Sequence, residues 1–247
     1  MFYPKGTTAA HYLSHLAGEF PIVEVDSTFY HAPSPKVVEG WRVKTPPRFA
    51  FSLKVPQSIT HEKQLLDCRA EVDGFLGAAR LLGEKLACCL LQFGYFNRKA
   101  FASVDAFLER LQPFLDFWPP DVPVALEIRN KAWVTAKLLD CLRARHVVLA
   151  LTDQAWMPSP LSLMEQLDVV TGSFGYVRLL GDRKAVDDLT LRLDHVVIDR
   201  SEQIRDDAKA IRKLSESVPV IVAVNNHFFA GYSPQTIEEL MEAIDKA

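Results

Sequence analysis

Glycine is scarce in this chain, with 11 in 247 residues. An open α/β sheet that binds a dinucleotide places a glycine-rich turn after its first strand, and no such turn occurs here. A phosphate-cradling P-loop, a GxSxG nucleophile elbow and an HExxH zinc motif are also missing. Cys68, Cys88, Cys89 and Cys141 lack the paired spacing of a zinc site, and Cys88 and Cys89 adjoin within an apolar run. They read as buried, reduced thiols of a cytoplasmic protein. The longest apolar stretch, LACCLLQF, is too short to span a bilayer, and the opening MFYPKGTTAAHY has no signal-peptide core, so no membrane partner is expected. A formal net charge of −3 excludes a global basic field that would recruit nucleic acid.

What the chain does have is alternation. Short, nearly continuous apolar runs lie at 22–27, 49–55, 86–93, 123–129, 147–153, 175–181 and 219–226. Such runs fit strands covered on both faces. Between them lie helix-period segments at 34–44, 65–85, 101–115, 132–146, 201–217 and 233–247, with a shorter one at 11–20. Strand–helix alternation implies βαβ units and a parallel sheet. Residues 154–173 predict at most one short helix, and 181–200 a long charged loop with some local structure. No Gly/Ser-rich linker divides the chain, so residues 1–247 are read as one domain. Without a glycine fingerprint, a (β/α) barrel with seven recognisable strands is favoured over an open sheet.

Side chains alternate along a strand, so parity separates an inward from a helix-facing set. The inward set begins each strand small or apolar and ends it charged or amide-bearing. It comprises Glu24 and Asp26, Lys54, Gln92, Glu127 and Arg129, Arg178, and Asn225, while Asp153 ends its strand with ambiguous parity. Barrel active sites lie at the strand C-termini. Lone buried charges are costly, and here acids nearly balance bases. The plainer reading is a structural ion-pair network.

Glu127 and Arg129, with Trp133 in the following loop, form the strongest local signal. Glu127 suits a general acid or base, Arg129 a planar clamp for phosphate or carboxylate. Lys54 suits an anion clamp or, with a depressed pKa, a Schiff-base nucleophile, the clamp being favoured because nearby acids hold the amine protonated. His61 and His227 fall on loops that follow strands. They suggest a metal only weakly, since Lys54, Arg129 and Arg178 oppose a cation. Phe29, Tyr30, Trp133, Tyr95 and Phe96 suit stacking on a sugar or base, or simply cover the strand ends.

VEVDSTFYHAPSP, FSLKVPQSITHEKQL, LLQFG, ALEIRNKAW, LALTD, YVRLLGDR and VNNHFFAGYSPQT, in this order, resemble the YecE-like family, also called domain-of-unknown-function 72. The resemblance implies a TIM-barrel-like fold and supplies no established activity. Family members usually open with a strand close to I-G-T-S-G-W followed by F-Y-P. This chain opens at Met1-Phe2-Tyr3-Pro4, so the usual first strand is expected to be absent and two strand edges to be unpaired.

The sequence therefore predicts an enzyme or enzyme-like binder with a charged pocket for a small anionic ligand. Glu127, Asp26 and Lys54 are its catalytic candidates. Arg129, Arg178, Gln92, Asn225, Glu24, Asp153, His61, Tyr30 and Trp133 are its binding candidates, with hydrolase or lyase chemistry, no metal and no specified cofactor. The alternative is a non-catalytic barrel that binds nucleic acid or a protein partner.

Overall fold

The structure, a computed structural model, describes residues 2–225 and 231–247. Seven parallel strands follow one another in chain order: β1 (Ile22–Val25), β2 (Ala50–Lys54), β3 (Leu86–Gln92), β4 (Val124–Glu127), β5 (Val148–Gln154), β6 (Gly175–Gly181) and β7 (Val220–Val224). The helices are α1 (Ala9–Glu19), α2 (Pro35–Lys44), α3 (Arg69–Ala79), α4 (Val104–Phe117), α5 (Ala136–Arg143), α6 (Pro160–Gln166), α7 (Arg183–Asp187), α8 (Ser201–Ser215) and α9 (Ser233–Lys246). Each strand is followed by at least one of them, and the fold class is α/β, TIM-barrel-like. All seven apolar runs form strands. The long 65–85 segment divides into α3 and a tighter 3₁₀ stretch, Arg80–Lys85, which Gly83 kinks internally with a φ of +58°.

The chain divides into two compact units, residues 3–126 and residues 127–247, Phe2 grouping with the second. In the 3–126 unit, β1 pairs β2 and β2 pairs β3, with Glu24 level with Ser52, Ser52 with Cys88, and Lys54 with Leu90. The Pro123 carbonyl accepts from the Cys89 N–H at 2.8 Å, which carries the ladder to β4. Phe51, Leu53, Phe75, Leu76, Phe107 and Phe114 are fully buried there. Phe93, Phe96, Phe101 and Phe107 pack ring to ring with centroids 4.9 to 5.8 Å apart.

In the 127–247 unit, β6 lies between β5 and β7. Thr152 is level with Arg178 and Arg178 with Ala223, while Asp153 is level with Leu179. Helix α8 buries Ile204, Ala208, Ile211 and Leu214, an i, i+4, i+7 stripe. It lies close to β6: a Cβ on Gly175 would stand 2.5 Å from Leu214 Cδ2 and 2.9 Å from its Cγ. That approach requires glycine at the start of the strand.

Candidate functional site

The inward face of the 3–126 unit is built in layers. Glu24, Ser52 and Cys88 share one level, where Ser52 Oγ and Cys88 Sγ lie 3.5 Å apart. Burial pushes the Cys88 thiol up to about 12, with the Glu24 charge adding to the effect and the Ser52 hydrogen bond opposing it. One level on, Lys54 ends β2 with its side chain 13% exposed, and Nζ lies 3.5 Å from Asp26 Oδ1. The same ammonium sits 4.3 Å from the Phe29 ring centroid, a cation–π contact. Gln92 follows on the same face at the end of β3 and is 5% exposed.

Two features fix this end of the unit. Thr28 Oγ1 donates to the carbonyls of Lys54 and Val25, at 2.7 and 2.8 Å, and so ties the exits of β1 and β2 together. After β2 the chain forms a π-helical turn, Ser58–Glu62, and then holds Gln64, Leu65 and Asp67 at positive φ. π-turns and left-handed non-glycine residues cluster where backbone strain serves a site. The turn carries His61, whose Nδ1 lies 2.8 Å from Thr60 Oγ1 and whose ring meets Phe29 edge-on at 5.1 Å.

In the 127–247 unit one carboxylate holds two guanidinium groups. Glu127 is fully buried, and its Oε1 accepts from Arg129 Nε at 2.8 Å while its Oε2 accepts from Arg178 Nη1. Thr152 and Ala223, the small neighbours of Arg178 across the sheet, leave room for its long side chain. Burial alone would push the Glu127 carboxyl up. The Arg178 and Arg129 charges and hydrogen bonds more than offset it, and the pKa lies below the ordinary carboxylate value. The trio carries a net charge of +1, and of the two cations Arg129 reaches solvent, its side chain 25% exposed against 4% for Arg178.

The family described as "Protein of unknown function DUF72" matches residues 1–247. The chain belongs to the DUF72 family. Among curated proteins it is similar to the UPF0759 protein YunF of Bacillus subtilis strain 168, 33% identical over 138 residues, covering 53% of this chain and 47% of that protein. It is also similar to the UPF0759 protein YecE of Escherichia coli K12, 31% identical over 119 residues, covering 48% of this chain and 41% of that one. The matches thus span less than half the length of these relatives. Among solved structures, a DUF72 protein of Thermotoga maritima MSB8 aligns with a TM-score of 0.70 at 25% identity, covering 99% of this chain and 91% of that one. A DUF72 protein of Enterococcus faecalis V583 aligns with a TM-score of 0.71 at 23% identity, covering 94% and 88%. The solved structures bear out the barrel class.

In this DUF72 chain the residues named from sequence fall into separate sets. Glu24, Asp26, Lys54, Tyr30, His61 and Gln92 belong to the 3–126 unit, and Glu127, Arg129, Trp133, Asp153, Arg178 and Asn225 to the other. Strand β4 stops at Glu127 and β1 at Val25, so Arg129 and Asp26 lie on the turns just beyond. Asn225 follows β7 and donates its backbone N–H to the Leu179 carbonyl at 2.9 Å. The ambiguous parity of Asp153 resolves against the Arg178 face, because its register partner is Leu179. Trp133 and Phe96 are buried, whereas Tyr30 and Tyr95 are 63% and 71% exposed. His227 lies outside the described residues. Among the described residues no group of three or more His, Cys, Asp or Glu side chains is placed to hold a metal.

Asp153 belongs to a cluster that the sequence reading missed. Burial raises its pKa, and the Arg200 charge pulls it back. Asp207, on the buried stripe of α8, is 4% exposed, and its Oδ2 has no hydrogen-bond partner among the described residues. Burial, then Asp153 and Asp206, push its pKa up to about 8 against the opposing charge of Arg200. The signal was present: Asp207 stands three residues after Ile204 and four before Ile211, on the apolar face of the helix.

Proposed function

We propose that this protein is an enzyme or enzyme-like binder that takes a small phosphate- or carboxylate-bearing ligand on Arg129. The observation that carries this reading is the shared carboxylate: Glu127, fully buried, is engaged by two guanidinium groups, one of them partly exposed. A buried ion pair alone is weak evidence for function. A trio with an excess cation at the surface is different, because an oxyanion completes it. Arginine offers that anion a planar, multidentate donor set, and its charge does not titrate away. Asn225, just beyond the end of β7, and Trp133, in the turn after Arg129, are the proposed flanking groups.

Hydrolase or lyase chemistry fits an anionic substrate. For that chemistry Glu127 fits better as a positioning residue than as the proton carrier. A carboxylate kept ionised by two guanidinium groups is a weak base, and it is no acid near neutral pH. The family match across residues 1–247 supports reading the chain as one domain. No helix among the described residues is long and apolar enough to cross a membrane. The four cysteines are buried and form no disulfide among the described residues, which supports a reducing, cytoplasmic location as part of the proposal.

Isothermal titration with inorganic phosphate tests the reading. Saturable binding that is lost in Arg129→Met, with the thermal unfolding of the variant unchanged, supports it. Absence of binding to the wild type, or equal binding by the variant, rejects it. Binding that appears only with oligonucleotides and falls steeply with added salt would instead favour a nucleic-acid binder.

A further inference from the structure

We propose that Gln154 is a specificity residue of the Arg129 site, selecting anions that carry a hydroxyl group close to the oxyanion. This rests on the anion reading and narrows its ligand to hydroxylated phosphates and carboxylates. The key observation is the Gln154 carboxamide. The residue is 7% exposed, and its Oε1 is buried with no hydrogen-bond partner among the described residues. Buried polar atoms are nearly always paired, so an orphaned one calls for an explanation. An apolar side chain would fill the same place without that penalty. A guest that brings the missing partner supplies the reason for a glutamine.

Its place in the fold ties it to Arg129. Gln154 is the last residue of β5, and barrels of this class bind their ligands at the strand C-termini. Glu127 comes before β5 in the sheet order, and Arg178 lies on β6, which follows it. Their ion pair therefore passes over β5, at the level of Thr152. Gln154 stands two residues beyond that level, as Arg129 stands two residues beyond Glu127. The register breaks at this point, because Asp153 is level with Leu179 and Gln154 with Gly181. Such irregularities re-aim a side chain and recur beside active sites. This one also sets Gln154 level with a residue that has no side chain to pair with its carboxamide.

The chemistry of the orphaned atom specifies the guest. A carboxamide oxygen accepts, so a second oxyanion on the ligand would oppose it and an apolar substituent would leave it bare. A hydroxyl donates to the oxygen, and it also accepts from the amide nitrogen should the group turn over. Neighbouring strands lie about 4.8 Å apart, a gap that a two-carbon link between oxyanion and hydroxyl covers. A site built to hydrogen-bond a ligand hydroxyl rejects the analogue that lacks it, because its own polar group is then left unpaired.

Isothermal titration of the full chain with ethyl phosphate and hydroxyethyl phosphate, which differ by one oxygen, tests the proposal. The wild type should bind the hydroxylated ligand about fivefold more tightly, the worth of one such hydrogen bond. Gln154→Met, close in size and without the carboxamide, should bind both ligands equally and inorganic phosphate as the wild type does. Should that variant fail to fold, Gln154→Asn decides in its place, since its carboxamide falls one carbon short and the preference should vanish there too. Failure of the wild type to bind inorganic phosphate would reject the Arg129 reading and this inference with it. Phosphate bound through Arg129 without any preference for the hydroxylated ligand, or a preference kept in the folded Gln154 variant, would overturn this inference alone.

Discussion

Replacing Asp207 by Asn should stabilise the protein in alkali and change it far less in acid. The folded structure carries this carboxyl from 3.8 to about 8 by burying it beside Asp153 and Asp206, with Arg200 opposing. A carboxyl whose pKa is raised on folding holds its proton more tightly in the native state. Its contribution is therefore fully present below the unfolded value and is lost as pH rises to about 8, after which the loss levels off. Between pH 5 and pH 8 the chain crosses roughly three units at about 1.4 kcal/mol each, so the gap between variant and wild type should widen by up to about 4 kcal/mol. Water entry around α8 would relieve part of that, and a measured widening of about 2–4 kcal/mol fits. In a domain of this size that is on the order of 10 °C in Tm. Urea unfolding of both proteins at pH 5, 7 and 9 measures it. A gap constant to within about 0.5 kcal/mol across that range would refute the reasoning, because the burial would then carry no proton linkage. Asp153→Asn in the wild-type background should reduce the same slope, since it removes the like charge that raises the Asp207 carboxyl most.

Glu127 gives the opposite arm. Its pKa is depressed, so its stabilisation is present above the ordinary value of 4.5 and lost as pH falls below it. Glu127→Gln should cost about 3–5 kcal/mol at pH 7, where it takes the shared carboxylate from both guanidinium groups, and less at pH 3; equal costs at both pH values in chemical unfolding would contradict this. Gly175→Ala should cost about 1–3 kcal/mol, because the new Cβ meets Leu214 at 2.5 Å; an unchanged urea midpoint would mean that α8 moves aside freely. A thiol reagent should leave Cys88 and Cys89 unmodified in the native protein, since burial holds both thiols far above neutral pH, and should modify all four cysteines in denaturant. Rapid native labelling of either residue would contradict their burial.

The barrel class was legible because the physics that makes it is local. A strand buried on both faces reads as a continuous apolar run, and each run here became a strand. Parity was legible too in β2 and β3: Ser52 is level with Cys88 and Lys54 with Leu90, the sets that alternation assigns to one face. It failed at the ends. Asp26 and Arg129 lie past the last ladder residue, where turn geometry rather than pleat sets direction, and the register of β5 shifts after Asp153. Pairing was legible only in part: an ion-pair network, with Lys54 beside Asp26 and Glu127 beside Arg129, but not its long-range member. That Glu127 holds both Arg129 and Arg178 joins residues 51 apart in the chain, and nothing in either segment announces the other. Under the proposal, Glu127, clasped by two guanidinium groups, positions Arg129 rather than carrying the proton. Asp207 was readable in principle, as an acid on an apolar helix stripe, but its consequence depends on Asp153, which only the fold brings near.

The central claim is that Arg129, braced by Glu127 and Arg178, is an oxyanion receptor. Crystals grown without phosphate or sulfate and then soaked in sulfate test it most directly. The account predicts an ordered sulfate within hydrogen-bonding distance of the Arg129 guanidinium, with the Glu127 contacts retained. Sulfate ordered at other arginines while Arg129 stays bare would contradict it.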